Sequence, residues 1–227
     1  KSKRQQGVCY SALVPNQKGF ERAIEAKPDR IAVFAATTES FSQKNTKGSI
    51  AEILERCSEV VKLSQASHIP VRGYVSTVFS CPYEGHVEPR QSLDIILRLI
   101  DMGCDFVALG DTLGTASMDE VREVLDLLLP RVGPEVLVMH LHDTFGRAKD
   151  NIRVSLEYGL TRFDSSAGGL GGCPFAGSGA SGNVSTQSLV ECLKDGGYHC
   201  DVDAAKVASA WEFIRGVLTP KGASHNA

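Results

Sequence analysis

The feature that most constrains the fold is a regular alternation of short apolar runs and helical patterns. Six runs rich in Val and Ile predict strands, over residues 8–14, 31–36, 71–78, 106–109, 136–142 and 161–165. Nearly every run is followed by apolar residues at helical spacing. Alternating strands and helices predict a parallel sheet that is covered by helices.

Two architectures fit this alternation, a closed (β/α)8 barrel and an open doubly wound sheet. Polar residues follow all six strands, including Asn16 after the first strand and Asp111 after the fourth. Functional groups after every strand favour a barrel, because an open sheet concentrates them at one crevice. We therefore expect an α/β fold of the (β/α)8 TIM barrel type, with about six of the eight βα units in this chain.

Several helix boundaries are marked in the sequence. The pairs Ser49 with Glu52 and Ser117 with Glu120 have the spacing of a capping box. After Ser165 the pattern changes to a glycine-rich stretch, which two helices follow, over residues 186–194 and 203–218. We expect a single domain over residues 1–227, of which residues 216–227 form a flexible tail.

Composition indicates the class of partner. The net charge of -3 gives no general electrostatic attraction to nucleic acid or to an anionic membrane. Apolar runs fall short of the roughly 20 residues that a membrane-spanning helix needs. The seven scattered cysteines suit a reducing compartment and predict free thiols. A small molecule is therefore the expected partner.

A His-x-His pair, His140 and His142, closes the fifth predicted strand. Residues i and i+2 of a strand share one face, so both imidazoles point the same way and could chelate a metal. Two hydrogen-bonded core histidines would give the same pattern. The next residue, Asp143, could cap a helix that opens at Thr144 or could support one of the histidines.

Two further segments carry chemistry. Asp111 ends a buried strand, where a carboxylate can orient a ligand, contact substrate or transfer a proton, although turn formation alone could explain it. The stretch 164–183 holds so many glycines that it predicts a loop able to move or to approach a ligand closely. Cys173 in its middle and Asn183 at its end are polar groups that such a loop could bring to a site.

Together these segments resemble the 3-hydroxy-3-methylglutaryl-CoA (HMG-CoA) lyase family. The resemblance rests first on Gly-Gly-Cys173-Pro-Phe, Gly-Ala-Ser-Gly-Asn183 and His140-Leu-His142-Asp143-Thr-Phe-Gly. Other matching segments follow in the family's order from the first strand onward, among them Cys81-Pro-Tyr-Glu-Gly85 and Gly110-Asp-Thr-Leu-Gly114. The likeness covers roughly residues 8 to 218.

The resemblance implies a metal-dependent lyase that splits HMG-CoA into acetyl-CoA and acetoacetate. It implies a Mg2+ or Mn2+ ion, an acyl-CoA substrate and a homodimer in the cytoplasm, or in the mitochondrial matrix if the source is eukaryotic. By residue-to-residue match it implies the metal ligands His140, His142 and Asn183, the catalytic residues Cys173, His140 and Asp111, and the substrate-binding residues Asn45, Tyr74 and Glu39.

The chain departs from the family in three ways. The family's first strand carries an Arg-Asp-Gly motif that supplies a metal-binding aspartate and an arginine, and no predicted strand here carries it. The first predicted strand matches the family's third, so we expect an amino-terminal part to be absent and this chain alone to be weakly active or inactive. The loop between Cys173 and Asn183 is one residue longer than usual, and Gln187 stands where a glutamate is usual.

Two alternatives remain open at this point. A Claisen-type synthase of the same superfamily, such as a 2-isopropylmalate or homocitrate synthase, shares the barrel and the His-x-His pair but lacks the Gly-Gly-Cys-Pro segment. An inactive remnant that still binds CoA and metal would also explain the missing Arg-Asp-Gly motif.

Overall fold

A computed structural model describes residues 4–172 and 182–218 of the chain. Its secondary structure is, in order, β1 (Ser11–Leu13), α1 (Gln17–Glu25), β2 (Arg30–Ala36), α2 (Glu39–Thr46), α3 (Ile50–Ala66), β3 (Val71–Ser76), β4 (Ser80–Cys81), β5 (Gly85–His86), α4 (Pro89–Met102), β6 (Phe106–Asp111), α5 (Met118–Leu128), β7 (Leu137–Leu141), α6 (Ala148–Glu157), β8 (Phe163–Asp164), α7 (Thr186–Asp195) and α8 (Ala204–Leu218).

One six-stranded parallel sheet organises the fold, in the order β1-β2-β3-β6-β7-β8. All six predicted strands are confirmed, with ends that differ by a few residues. The small antiparallel hairpin β4–β5 was not predicted, because each of its strands has only two residues and offers no periodicity to read. Strands β1 and β8 are the two ends of the sheet.

The two faces of the sheet differ in chemistry. On β3, Val71 and Val75 are buried in the main apolar core, whereas the alternate residues Arg72, Tyr74 and Ser76 are only partly buried. Gly73 faces the helices, since a Cβ there would lie 2.9 Å from the Leu99 side chain of α4. The apolar face thus packs against the helices, and the polar face lines the inside of the curved sheet.

The helix boundaries follow the predicted caps, with one correction. Both capping boxes are formed, at Ser49 and at Ser117. The helix after His142 does not open at Thr144: α6 begins at Ala148, and the Asp143 carboxylate accepts a hydrogen bond from the Ala148 amide at 3.0 Å. A turn closed by the Gly146 amide on the Asp143 carbonyl separates strand from helix.

The carboxyl-terminal helix α8 runs to Leu218, so residues 216–218 of the expected tail are helical. Residues 219–227 lie outside the described residues. Among the helices of the described segments, none combines the length and the apolar character that crossing a membrane requires.

Candidate metal centre

A cavity of about 240 Å3 opens at the carboxyl ends of β3, β6 and β7. His140 and His142 both line it, as their i, i+2 spacing predicts, and so do Asn45 and Tyr74. The centres of the two imidazole rings are 5.6 Å apart and the ring planes meet at 57°. One metal ion can span this separation, because a metal–nitrogen bond is about 2 Å long.

His142 is nearly buried and has one ring nitrogen without a partner in the described part of the chain, as a metal ligand would. It is 6% exposed, and its Nδ1 is buried with no hydrogen-bond partner among the residues of the described segments. Burial, followed by the nearby His140 ring, lowers the pKa of His142 to about 4, against a smaller opposing effect of a hydrogen bond with the Thr112 backbone. The ring is therefore neutral at pH 7, the form in which histidine binds metals.

Asn183 lies beside His142 through backbone pairing of the two residues in an antiparallel bridge. The Asp143 amide donates to the Gly182 carbonyl at 2.8 Å, and the Val184 amide donates to the Leu141 carbonyl at 2.9 Å. The Asn183 side-chain Nδ2 donates to the carbonyls of Leu170 and Gly171 at 2.9 and 3.1 Å. Within the described segments, no residue donates a hydrogen bond to its Oδ1.

This donor set fits a divalent metal ion. The described residues contain no cluster of three His, Cys, Asp or Glu side chains that could hold a metal, and the Asn183 oxygen is a further donor beside the two histidines. Two imidazoles and an amide oxygen form a mixed nitrogen and oxygen set of the kind that transition-metal dications accept. The unpartnered Nδ1 of His142 is the structural observation that supports the fit.

Asp164, the last residue of β8, is a functional candidate that the sequence did not single out. Its Oδ2 is 3.0 Å from His140 Nδ1 and 2.5 Å from a terminal guanidinium nitrogen of Arg72. Burial alone would raise the pKa of the Asp164 carboxyl, but the hydrogen bond with His140 and the charge of Arg72 outweigh it and leave the pKa below its ordinary value. Only the register of β7 and β8, in which His140 pairs with Asp164, could have indicated this contact.

Asp111, expected to be catalytic, is turned away from the cavity. Its carboxylate is 1% exposed and accepts hydrogen bonds from the amides of Gly114, Thr115 and Ala116 at 3.0 to 3.2 Å. Burial raises the pKa of Asp111 to about 6, although these three amides oppose the shift. In the structure Asp111 thus shapes the loop after β6, the element that carries the cavity residue Thr112.

The remaining predicted site residues fall into different places. Tyr74 and Asn45 line the cavity, and the Tyr74 ring meets the His140 ring edge-on with 5.7 Å between centres. Glu39 does not line it, because its carboxylate accepts a hydrogen bond from the Ile50 amide at the start of α3, at 3.1 Å. Cys173 lies outside the described residues.

Comparison with known proteins places the chain in a family. The HMGL-like family model matches residues 1–214. The chain belongs to the HMGL-like family. A cytoplasmic 3-hydroxy-3-methylglutaryl-CoA lyase of Danio rerio is 44% identical over 96% of this chain. The HMG-CoA lyase structure from Brucella melitensis superposes with a TM-score of 0.92 at 46% identity, over 95% of this chain and 76% of that one.

A second solved structure, an HMG-CoA lyase from Acinetobacter baumannii in complex with coenzyme A and 3-methylmalate, has a TM-score of 0.89 at 30% identity and covers 99% of this chain and 75% of that one. The present chain spans 65% of the length of the Danio relative. Its six parallel strands match those of solved HMG-CoA lyases, so the expected TIM-barrel architecture is confirmed for this portion of the fold.

Proposed function

We propose that the protein is a metal-dependent carbon–carbon lyase that cleaves HMG-CoA to acetyl-CoA and acetoacetate. The observation that carries the proposal is that His140 and His142 line one cavity and that Asn183 pairs with His142 through the backbone, all three in the chain positions that match the family's metal ligands. The lyase names of relatives 44 and 46% identical support the reaction, and the coenzyme A complex of the Acinetobacter protein supports an acyl-CoA substrate.

The proposed roles follow from the chemistry of a retro-Claisen cleavage. A divalent ion, Mg2+ or Mn2+, would polarise the oxygens of the substrate and lower the pKa of its hydroxyl group. When a base takes the hydroxyl proton, the carbon–carbon bond breaks, acetoacetate leaves and the bonding electrons remain on the acetyl-CoA carbon. That carbon must then take up a proton. We assign this proton to the thiol of Cys173.

The described residues would supply binding and orientation. Tyr74 and Asn45 line the cavity beside the histidines, which suits contact with the acyl group of the substrate. Asp111 and Glu39 would support the site indirectly, by accepting hydrogen bonds from backbone amides. Asp111 binds the amides of residues 114–116, and Glu39 binds the amide of Ile50. We further propose that the protein is a homodimer and that it lies in the cytoplasm.

Product analysis tests this function. The protein is incubated with HMG-CoA, with Mn2+ or with a chelator, and acetoacetate and acetyl-CoA are quantified together. We expect both products in equal amounts and only when the metal is present, with at most weak turnover by this chain alone. Condensation of acetyl-CoA with a 2-oxo acid would instead support a synthase, and Mn2+ binding without product would support a binding module.

A further inference from the structure

The two histidines of the candidate centre differ in how their rings are held. His142 Nδ1 has no hydrogen-bond partner among the described residues, whereas His140 Nδ1 lies 3.0 Å from Asp164 Oδ2. An ionised carboxylate can only accept a hydrogen bond, so the proton of this bond belongs to His140 Nδ1. The lone pair of a neutral His140 ring is then on Nε2, the nitrogen on the far side of the ring from Asp164.

Asp164 is itself held from a second direction. Arg72, on β3, reaches across the inner face of the sheet and places a guanidinium nitrogen 2.5 Å from the same Oδ2. The two side chains are only 12% and 21% exposed. A pair in this setting keeps the carboxylate ionised and in one place, which a solvated surface pair does not do.

The His140 ring has a second neighbour. The Tyr74 ring packs against it edge-on, at 90° between planes, and the Arg72 guanidinium lies 4.5 Å from the centre of the Tyr74 ring. Arg72 therefore supports both groups that contact the imidazole. His140 remains part of the cavity lining, so the orientation of its free nitrogen decides what the cavity can bind.

We propose that Asp164 is a positioning residue that fixes His140 in the Nδ1-protonated tautomer and presents Nε2 as a metal ligand, with Arg72 holding Asp164 in place. Carboxylates that orient metal-binding histidines in this way typically change metal affinity by 10- to 100-fold when they are removed. The metal-binding half of this proposal rests on the proposed function, whereas the tautomer is a property of the metal-free protein.

Nitrogen NMR of metal-free protein labelled with 15N-histidine tests the tautomer directly. The signals of His140 are assigned by their loss in His140→Gln. We expect a protonated Nδ1 and an unprotonated Nε2 in the wild type, loss of this fixed tautomer in Asp164→Ala, and its retention in Asp164→Asn, because the asparagine oxygen can still accept the Nδ1 proton.

Calorimetric titration with Mn2+ tests the consequence. We expect Asp164→Ala to bind Mn2+ about 10- to 100-fold more weakly than wild type and Asp164→Asn to lose less. Asp105→Ala is the matched control, because the Asp105 carboxylate also accepts a structural hydrogen bond, from the Val71 amide at 2.8 Å, but at the other end of β3. Its Mn2+ affinity should equal that of the wild type.

The outcomes separate this proposal from the proposed function. A wild-type His140 protonated on Nε2 overturns the proposal without any variant, so the test does not depend on the folding of Asp164→Ala. Unchanged Mn2+ affinity in Asp164→Ala also overturns it. If the tautomer and the Mn2+ affinities are as expected but HMG-CoA is not cleaved, the positioning role stands and the proposed reaction fails.

Discussion

Replacing Gly182 by alanine should damage the candidate centre through the backbone alone. Gly182 has φ +80°, a left-handed conformation that costs a non-glycine residue about 1–2 kcal/mol. An alanine Cβ would also lie 2.0 Å from the Gly171 carbonyl oxygen, where ordinary contact begins at 3.4 Å. The two segments would have to separate by about 1 Å, since neither contact atom belongs to a flexible side chain.

That separation would break the pairing that places Asn183. Two backbone hydrogen bonds of 2.8 Å are at risk, from the Asn183 amide to Gly171 and from the Asp143 amide to Gly182. At about 1 kcal/mol each, their loss adds roughly 2 kcal/mol to the cost of the strained φ. Because Asn183 moves with this backbone, Mn2+ binding should weaken as well.

Gly197→Ala is the matched control. Gly197 has φ +76°, almost the same conformation, but a Cβ there would meet no atom within 4 Å. Urea unfolding should show Gly182→Ala to be about 2 kcal/mol less stable than Gly197→Ala, and calorimetry should show weaker Mn2+ binding only for Gly182→Ala. Equal stability and equal Mn2+ affinity of the two variants would refute the reasoning.

Two further substitutions test the site and its support. His142→Leu should abolish Mn2+ binding but leave the melting temperature of the metal-free protein unchanged or higher, because a buried nitrogen without a partner is removed; a marked fall in melting temperature would show that the ring is structurally bonded. Asp111→Asn should change the pH dependence of stability. Burial raises the pKa of Asp111 from 3.8 to about 6. Between these two pH values the native state keeps a proton that the unfolded state has already lost, so the stability of the wild type falls as pH rises from about 4 to about 6. The variant lacks this loss, so urea unfolding should show it gaining of order 2 kcal/mol relative to wild type between pH 4 and pH 7; parallel stability curves would contradict the shift.

Much of the fold was predictable because its signals are local. The buried parallel strands are short apolar runs. The first turns of α3 and α5 are marked by capping boxes, in which a hydroxyl and a carboxylate side chain lie three residues apart. Local sequence signals did not predict helix boundaries that depend on tertiary contacts. The Asp143 carboxylate caps α6 from five residues before Ala148, across a turn whose length no capping pattern reveals.

The candidate site was predictable only in part, for the same reason. The spacing of His140 and His142 places both rings at one cavity, since two residues on a strand share a face. Asp164 could not be found this way, because its contact with His140 depends on the register of two strands 24 residues apart and on Arg72 from a third. Asp111 shows the converse: the strand-end position left a catalytic role and turn formation both open, and only the structure shows that three nearby amides donate to its carboxylate.

Coordination of Mn2+ by two imidazoles tests the central claim most directly. Pulsed electron paramagnetic resonance of the Mn2+-loaded protein, with natural and 15N-labelled histidine, detects nitrogen bonded to the ion. We predict two coupled histidine nitrogens in the wild type and a change of the couplings on 15N labelling. A Mn2+ spectrum without histidine nitrogen coupling would contradict the assignment of His140 and His142 as metal ligands.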